Sequence, residues 1–165
     1  MRLQNLYDLA KQQNIEVLSY PMPENASMSV MLEDGRCFVG MDDSVRDGSV
    51  QERVHLSHEL GHCITGSFYN IHAAIDHRQR HENRANKWAI QALIPVDDLD
   101  DAIADGCTEV WELAERFQVT EDFIRRAVCL YVHGNLERNC ISEKINWKES
   151  QNSQKKDCQT EKAVL

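Results

Sequence analysis

His58, Glu59 and His62 spell H-E-x-x-H within the stretch Arg53-Val54-His55-Leu56-Ser57-His58-Glu59-Leu60-Gly61-His62. On a helix, positions four apart differ by about 40° of rotation and about 6 Å of rise. Both imidazoles can therefore reach one small ion. Zinc accepts His nitrogens well and, in catalytic sites, keeps a position open for water. A carboxylate beside that water, here Glu59, can act as general base. The plainer alternative is an exposed polar helix face. His55, His58, Glu59 and His62 fall on one polar strip, with Leu56, Leu60, Cys63 and Ile64 beside it. Gly61 lies mid-helix, where Gly costs about 1 kcal/mol against Ala. Close approach by another backbone or a ligand is one reason to keep it; ordinary helix packing is the other.

A second helix, about Arg80 to Leu93 and stopped by Pro95, carries an apolar stripe of Ala85, Ala89, Ala92 and Leu93 with Trp88 alongside. Glu82 falls on that stripe, and Asn86 lies four residues on, on the same side. A carboxylate aimed at a core is costly unless paired. Zinc resolves the anomaly, with Glu82 as third ligand and Asn86 hydrogen-bonded to a ligand His. A first-turn Glu favoured by the helix dipole resolves it equally well.

The elements that must position these groups are legible around them. Ser49-Val50-Gln51-Glu52 is a capping box, which starts a helix that runs to about Thr65 and stops near Gly66. The pentad thus falls in the body of a capped helix, the context that the motif needs. Upstream, residues 3–13 read as a short amphipathic helix, and Ile15, Val17 and Leu18 as a strand. Met28, Val30 and Leu32 alternate, as do Cys37, Val39 and Met41. Asp34-Gly35 between them is favoured in type I′ hairpin turns, and Glu33 and Arg36 could pair across the strands. Such a hairpin can offer a sheet edge to an extended peptide or simply close the core. Residues 67–80 read as a loop in which Tyr69, His72 or His77 could hydrogen-bond an oxyanion.

Downstream, Asp97-Asp98-Leu99-Asp100-Asp101 reads as a solvated helix start rather than a calcium loop, since no D-x-[DN]-x-[DN]-G pattern is present. Thr108 caps a helix with Val110, Leu113, Ala114 and Phe117 on one face. Thr120 caps another, with Phe123, Ile124, Ala127, Val128 and Tyr131. The pair looks like a helix-turn-helix, either a DNA reader or packing under the site. From about Asn135 to Leu165 the chain is polar, with Ile141, Ile145 and Trp147 as weak contacts.

Composition narrows the function classes. At 42% hydrophobic and 27% charged residues, the 165-residue chain suits one soluble domain. No apolar run reaches the roughly 20 residues of a membrane helix, and the N-terminus has no secretory h-region, so cytoplasm is the expected compartment. A formal charge of −9 speaks against direct nucleic-acid binding. None of the six Cys forms C-x-x-C, and they read as reduced thiols. Cys63 points about 100° away from the His face.

Three stretches together carry a resemblance: His58-Glu59-Leu60-Gly61-His62; Glu82-Asn83-Arg84-Ala85-Asn86-Lys87-Trp88-Ala89-Ile90-Gln91-Ala92-Leu93-Ile94-Pro95; and Glu112-Leu113-Ala114-Glu115-Arg116-Phe117-Gln118-Val119-Thr120. They resemble the ImmA/IrrE family of bacterial and phage-associated metallopeptidases. The second stretch follows that family's E-x-x-A-N-x-F-A-x-x-L-L-x-P, with Trp88 for Phe and Ala92 for the first Leu. The third follows E-L-A-x-x-F-x-V-S, with Thr120 for Ser. The likeness spans roughly residues 27–132. It implies an α+β, minimal zincin-like domain: a small β-sheet with the hairpin packed on the H-E-x-x-H helix, and a helical C-terminal part. The zinc metallopeptidase domain would be 1–134, with a helical subdomain at about 97–134 and a polar, flexible tail at 135–165. The implied roles are His58, His62 and Glu82 as Zn2+ ligands in a gluzincin-like site, Glu59 as catalytic base, and Asn86 behind a ligand. The implied partner is a protein substrate, a helix-turn-helix repressor of phage, mobile-element or stress genes. A non-catalytic antirepressor that sequesters such a partner is the alternative.

Overall fold

The computed structural model describes residues 1–22, 26–69, 73–134 and 136. The chain opens with helix α1, Leu3–Gln12, which buries Leu6 and Ala10. Strand β1, Glu16–Ser19, follows, and then β2, Ser27–Met31, and β3, Cys37–Met41. The sheet order is β1-β3-β2, with β1 parallel and β2 antiparallel to β3. Helix α2, Val50–Thr65, carries the pentad, and α3, Ile75–Leu93, carries Glu82. Three shorter helices complete the fold: α4, Val96–Ala104; α5, Val110–Phe117; and α6, Glu121–His133. This is the expected α+β architecture. One hydrophobic cluster runs from Leu6 through Leu56, Leu60 and Leu93 to Ile124 and Leu130, so the C-terminal helices share the core of the sheet and α2. Leu136 packs against that core. The remainder of the expected tail, with Ile141, Ile145 and Trp147, lies outside the described residues.

The hairpin corrects two expectations. Leu32 and Arg36 face each other across the turn, with the Gly35 N–H donating to the Leu32 carbonyl at 3.0 Å. Gly35 has φ +85°, whereas Asp34 is not among the positive-φ residues. A type I′ turn needs positive φ at both central residues. The loop is therefore the three-residue kind, a turn closed by a left-handed Gly. Arg36 pairs with Asp34 at 2.8 Å, inside the turn, rather than with Glu33. The register also decides which face each strand buries. Ser27 and Ser29 lie opposite Met41 and Val39, so β2 turns its serines inward. Met28, Val30 and Leu32 are exposed, while Val39 and Met41 are buried. Alternation marked both strands correctly, but only β3 directs its apolar set to the core.

Helix α2 starts and stops as its capping residues dictate. Ser49 Oγ accepts from the Glu52 N–H at 3.3 Å, and Gly66 ends the helix at φ +62°. The box is half-formed, because the Glu52 carboxylate accepts from Gly48 N–H at 2.7 Å and from the Tyr7 hydroxyl of α1. Helix α3 begins five residues before the expected Arg80. Its first turns are almost wholly exposed, so no apolar stripe marks them, and His77 belongs to the helix rather than a loop. For α5 the N-cap is Glu109, not Thr108; Glu109 and Glu112 form the capping box. Thr120 caps α6, its Oγ1 accepting from Phe123 N–H at 3.2 Å.

Buried Arg53 ties α2 to two distant pieces of chain. Its guanidinium donates to the carbonyls of Met1, Phe117 and Gln118, the last at 2.7 Å. These oxygens include the C-terminal end of α5, where a cation is favoured. Burial pulls the Arg53 pKa down, and the carbonyl oxygens compensate the charge. Arg53→Ala is expected to cost about 1–3 kcal/mol, since it removes charge-assisted hydrogen bonds to three carbonyls. The check is a lower urea midpoint at unchanged m-value.

Candidate metal centre

The site is built where α3 lies along α2, and Gly61 sets the separation. A Cβ at Gly61 would sit 2.6 Å from the Ala85 carbonyl oxygen. The close approach anticipated for Gly61 is therefore to the backbone of α3. Ala85 stands between Glu82 and Asn86, so this contact brings both beside the histidines. Glu82 is in the eighth position of α3, well past the first turn, and the dipole explanation for its placement falls away.

Three side chains converge. His58 Nε2 and His62 Nε2 are 3.1 Å apart. Glu82 Oε2 is 3.3 Å from His58 Nε2, and its Oε1 is 3.5 Å from His62 Nε2. Among the described residues, this trio is the group whose ligand atoms lie within 4.8 Å of one another; Cys63 is not part of it. The far side of each imidazole is engaged. His58 Nδ1 lies 3.1 Å from Asn86 Oδ1, and His62 Nδ1 lies 2.6 Å from the Ser67 carbonyl oxygen. Both acceptors require an N–H at Nδ1, so a neutral ring presents a bare lone pair at Nε2. Two nitrogen lone pairs and a carboxylate then face one point with no proton between them.

A cation removes that repulsion. A tetrahedral ion bonded at about 2.0–2.1 Å needs donor atoms about 3.3 Å apart; the two Nε2 atoms, 3.1 Å apart, and the carboxylate oxygen nearest each ring, at 3.3 and 3.5 Å, lie close to that length. The donor set therefore fits a zinc-like ion. The Tyr69 hydroxyl donates to Glu82 Oε1 at 2.8 Å, so it orients the third donor. The His77 ring lies against His81, centroids 4.6 Å apart and planes tilted by 45°, and His72 lies outside the described residues.

Glu59 is buried at 6% exposure, and its Oε1 accepts from Ser27 Oγ at 2.8 Å. Sequence reasoning missed Ser27. The available signal was a polar residue alternating against Met28 and Val30. Beside the trio opens a cavity of about 450 Å³, lined by Val54, His55, His58, Glu82 and Asn86 with Thr120, Phe123 and Arg126 from the α6 end. The second helix of the helix-turn-helix-like pair, α6, thus forms one wall of this cleft. Arg126 is paired with Asp122 at 2.8 Å and Arg125 with Glu121 at 3.0 Å.

Without a metal ion, a proton takes its place. Burial opposes charge on His62, but Glu82, the Ser67 carbonyl and Glu59 outweigh it and raise its pKa above the ordinary 6.5. Hydrogen bonding to His58, and then to His62, holds the Glu82 carboxyl well below its ordinary 4.5 against the effect of burial. In the metal-free protein, the His62 contribution to stability is complete below its unfolded value and is lost as pH rises through the raised one. The Glu82 contribution is complete above its unfolded value and is lost as pH falls through the lowered one. Their joint effect is therefore largest between 4.5 and 6.5. A zinc ion held by this trio would compete with the His62 proton. The rise in melting temperature on adding zinc is expected to grow from about pH 6 to about pH 8, while the metal-free protein gains nothing from this site over that range. Paired melting scans check both limbs.

A helix bearing H-E-x-x-H, a second helix supplying a carboxylate, and a small sheet alongside define a small zincin-like domain. The family model for Peptidase M78, the IrrE N-terminal-like domain, matches residues 10–128. The chain belongs to that metallopeptidase family. A comparison with curated protein sequences gave no match. No described helix is long and apolar enough to cross a membrane.

Proposed function

We propose that the protein is a zinc endopeptidase that hydrolyses a peptide bond in a specific cytoplasmic regulator, a repressor of the helix-turn-helix class. The observation that carries this reading is the convergence of His58 Nε2 and His62 Nε2, 3.1 Å apart, on the Glu82 carboxylate, whose Oε2 lies 3.3 Å from His58 and whose Oε1 lies 3.5 Å from His62. His58, His62 and Glu82 would hold the metal. Zinc bound there supplies Lewis acidity, which makes a water easier to deprotonate and a carbonyl easier to attack. Asn86 Oδ1 and the Ser67 carbonyl fix the two imidazoles with Nε2 toward the metal. Glu59 takes the proton from the attacking water on its carboxylate and passes it to the leaving amine nitrogen. The repressor assignment rests on the family likeness and on compartment, since unrestricted proteolysis in cytoplasm would be harmful.

Two measurements test the reading. Metal analysis of protein purified without added metal is expected to find near one zinc per chain, with clear loss in Glu82→Ala. Mass spectrometry after incubation with a repressor encoded beside the gene is expected to find one pair of new termini, absent when a chelator is present. A repressor that stays intact yet co-elutes with the protein would replace the peptidase by a sequestering module. A wild-type protein that takes up no zinc, even when zinc is supplied, would remove the enzyme altogether.

A further inference from the structure

Ser27 opens β2, and the pairing of Ser27 with Met41 turns it toward α2. Its Oγ lies 2.8 Å from Glu59 Oε1 and 3.1 Å from His55 Nδ1. His55 and Glu59 are four residues apart on α2, so one hydroxyl can reach both. A serine hydroxyl has one proton, and an ionised carboxylate has none to give. The serine proton therefore lies toward Glu59, and His55 Nδ1 must carry its own hydrogen and donate to Ser27 Oγ. Burial lowers the His55 pKa below 6.5, against Glu59, which raises it, so the ring is neutral near pH 7 with a single N–H to place.

We propose that Ser27, itself oriented by His55, is a positioning residue for Glu59. Its hydroxyl engages Oε1 and leaves Oε2 as the atom that exchanges the proton with water and leaving amine. The buried carboxylate would otherwise be free to rotate about its terminal bonds, and a base acts only within hydrogen-bond reach of its proton. This inference rests on Glu59 being the base.

The test uses the zinc-loaded full-length chain and has two arms. Long-range 1H–15N spectra of 15N-histidine-labelled protein read the His55 tautomer with no substrate present. The Nδ1–H form is expected in the wild type. An Nε2–H form there would overturn the proposal, because a bare Nδ1 would take the Ser27 proton away from Glu59. The second arm uses as substrate the repressor encoded beside the gene. Ser27→Ala is expected to lower kcat about tenfold, the weight of one hydrogen bond to a charged group, with KM within about twofold and zinc content unchanged. Ser27→Thr, which keeps the hydroxyl, is expected to restore kcat. Unchanged kcat in Ser27→Ala, or no recovery in Ser27→Thr, would overturn the role of Ser27 alone. Repressor cleavage surviving Glu59→Gln would instead overturn the assignment of the base, and those failures are told apart by that one control.

Discussion

Glu59→Gln is expected to keep its fold and its metal while losing about 10²–10⁴ in turnover, the usual contribution of a positioned general base. The amide has nearly the same shape as the carboxylate, and Ser27 can still donate to its carbonyl oxygen. The proposed metal donors are His58, His62 and Glu82, so loading should match the wild type. What disappears is the ability to hold a proton: an amide oxygen is far too weak a base at neutral pH. The effect belongs in kcat, since the proton transfer proposed for Glu59 is part of the chemical step. Metal analysis and a melting scan on the same sample are the controls. If metal were lost along with activity, Glu59 would be maintaining the site and not transferring protons.

Gly61→Ala sets two effects against each other. Helix propensity favours Ala over Gly by about 1 kcal/mol in a helix interior. The new methyl group would lie 2.6 Å from the Ala85 carbonyl oxygen and 3.1 Å from the Ala85 Cα. Those atoms are backbone, so no side-chain rotation relieves the overlap. Helix α3 has to move away, and overpacking of this kind costs about 1–3 kcal/mol. Sterics should win, giving net destabilisation. The larger consequence is at the metal. Glu82 and Asn86 flank Ala85 and travel with it, so the carboxylate withdraws from both imidazoles. Zinc affinity is expected to fall by about tenfold or more, read by competition with a fluorescent chelator. A variant stabilised by about 1 kcal/mol with unchanged affinity would show that α2 and α3 have room to spare.

Local chemistry was legible in the sequence and long-range pairing was not. The limits of α2 followed from Ser49, Glu52 and Gly66, which act within a few residues of themselves. Glu82 stood out because a carboxylate on an apolar stripe needs a reason. Its role stayed open only because the start of α3 was placed at Arg80, and Ile75 to Gln79 are too exposed to leave a periodic mark. Ser27 and Arg53 went unnoticed as partners. Ser27 meets α2 from 28 and 32 residues away, and Arg53 reaches Phe117 and Gln118 from 64 and 65, and no local pattern encodes such contacts. The inward serines of β2 had the same origin, since strand alternation tells which residues share a face but not which face is covered.

That last feature reaches beyond the site. Leu18, Met28 and Val30 lie on the outer side of a three-stranded sheet, with Leu18 and Met28 flanking Gly40 in one row. In β2, which pairs with β3 alone among the described residues, an unpaired strand edge adjoins this greasy surface. Nothing in the strand itself guards against two molecules meeting there; no lysine or proline interrupts Ser27–Met31. The guard is global: a charge of −9 per chain keeps molecules apart at a distance. Such repulsion fades as the ionic atmosphere shrinks from about 10 Å at 0.1 M salt to about 3 Å at 1 M. Colloidal behaviour is thus written into the hairpin register. The protein should disperse best in dilute buffer, and concentrated salt should drive its molecules together through the sheet.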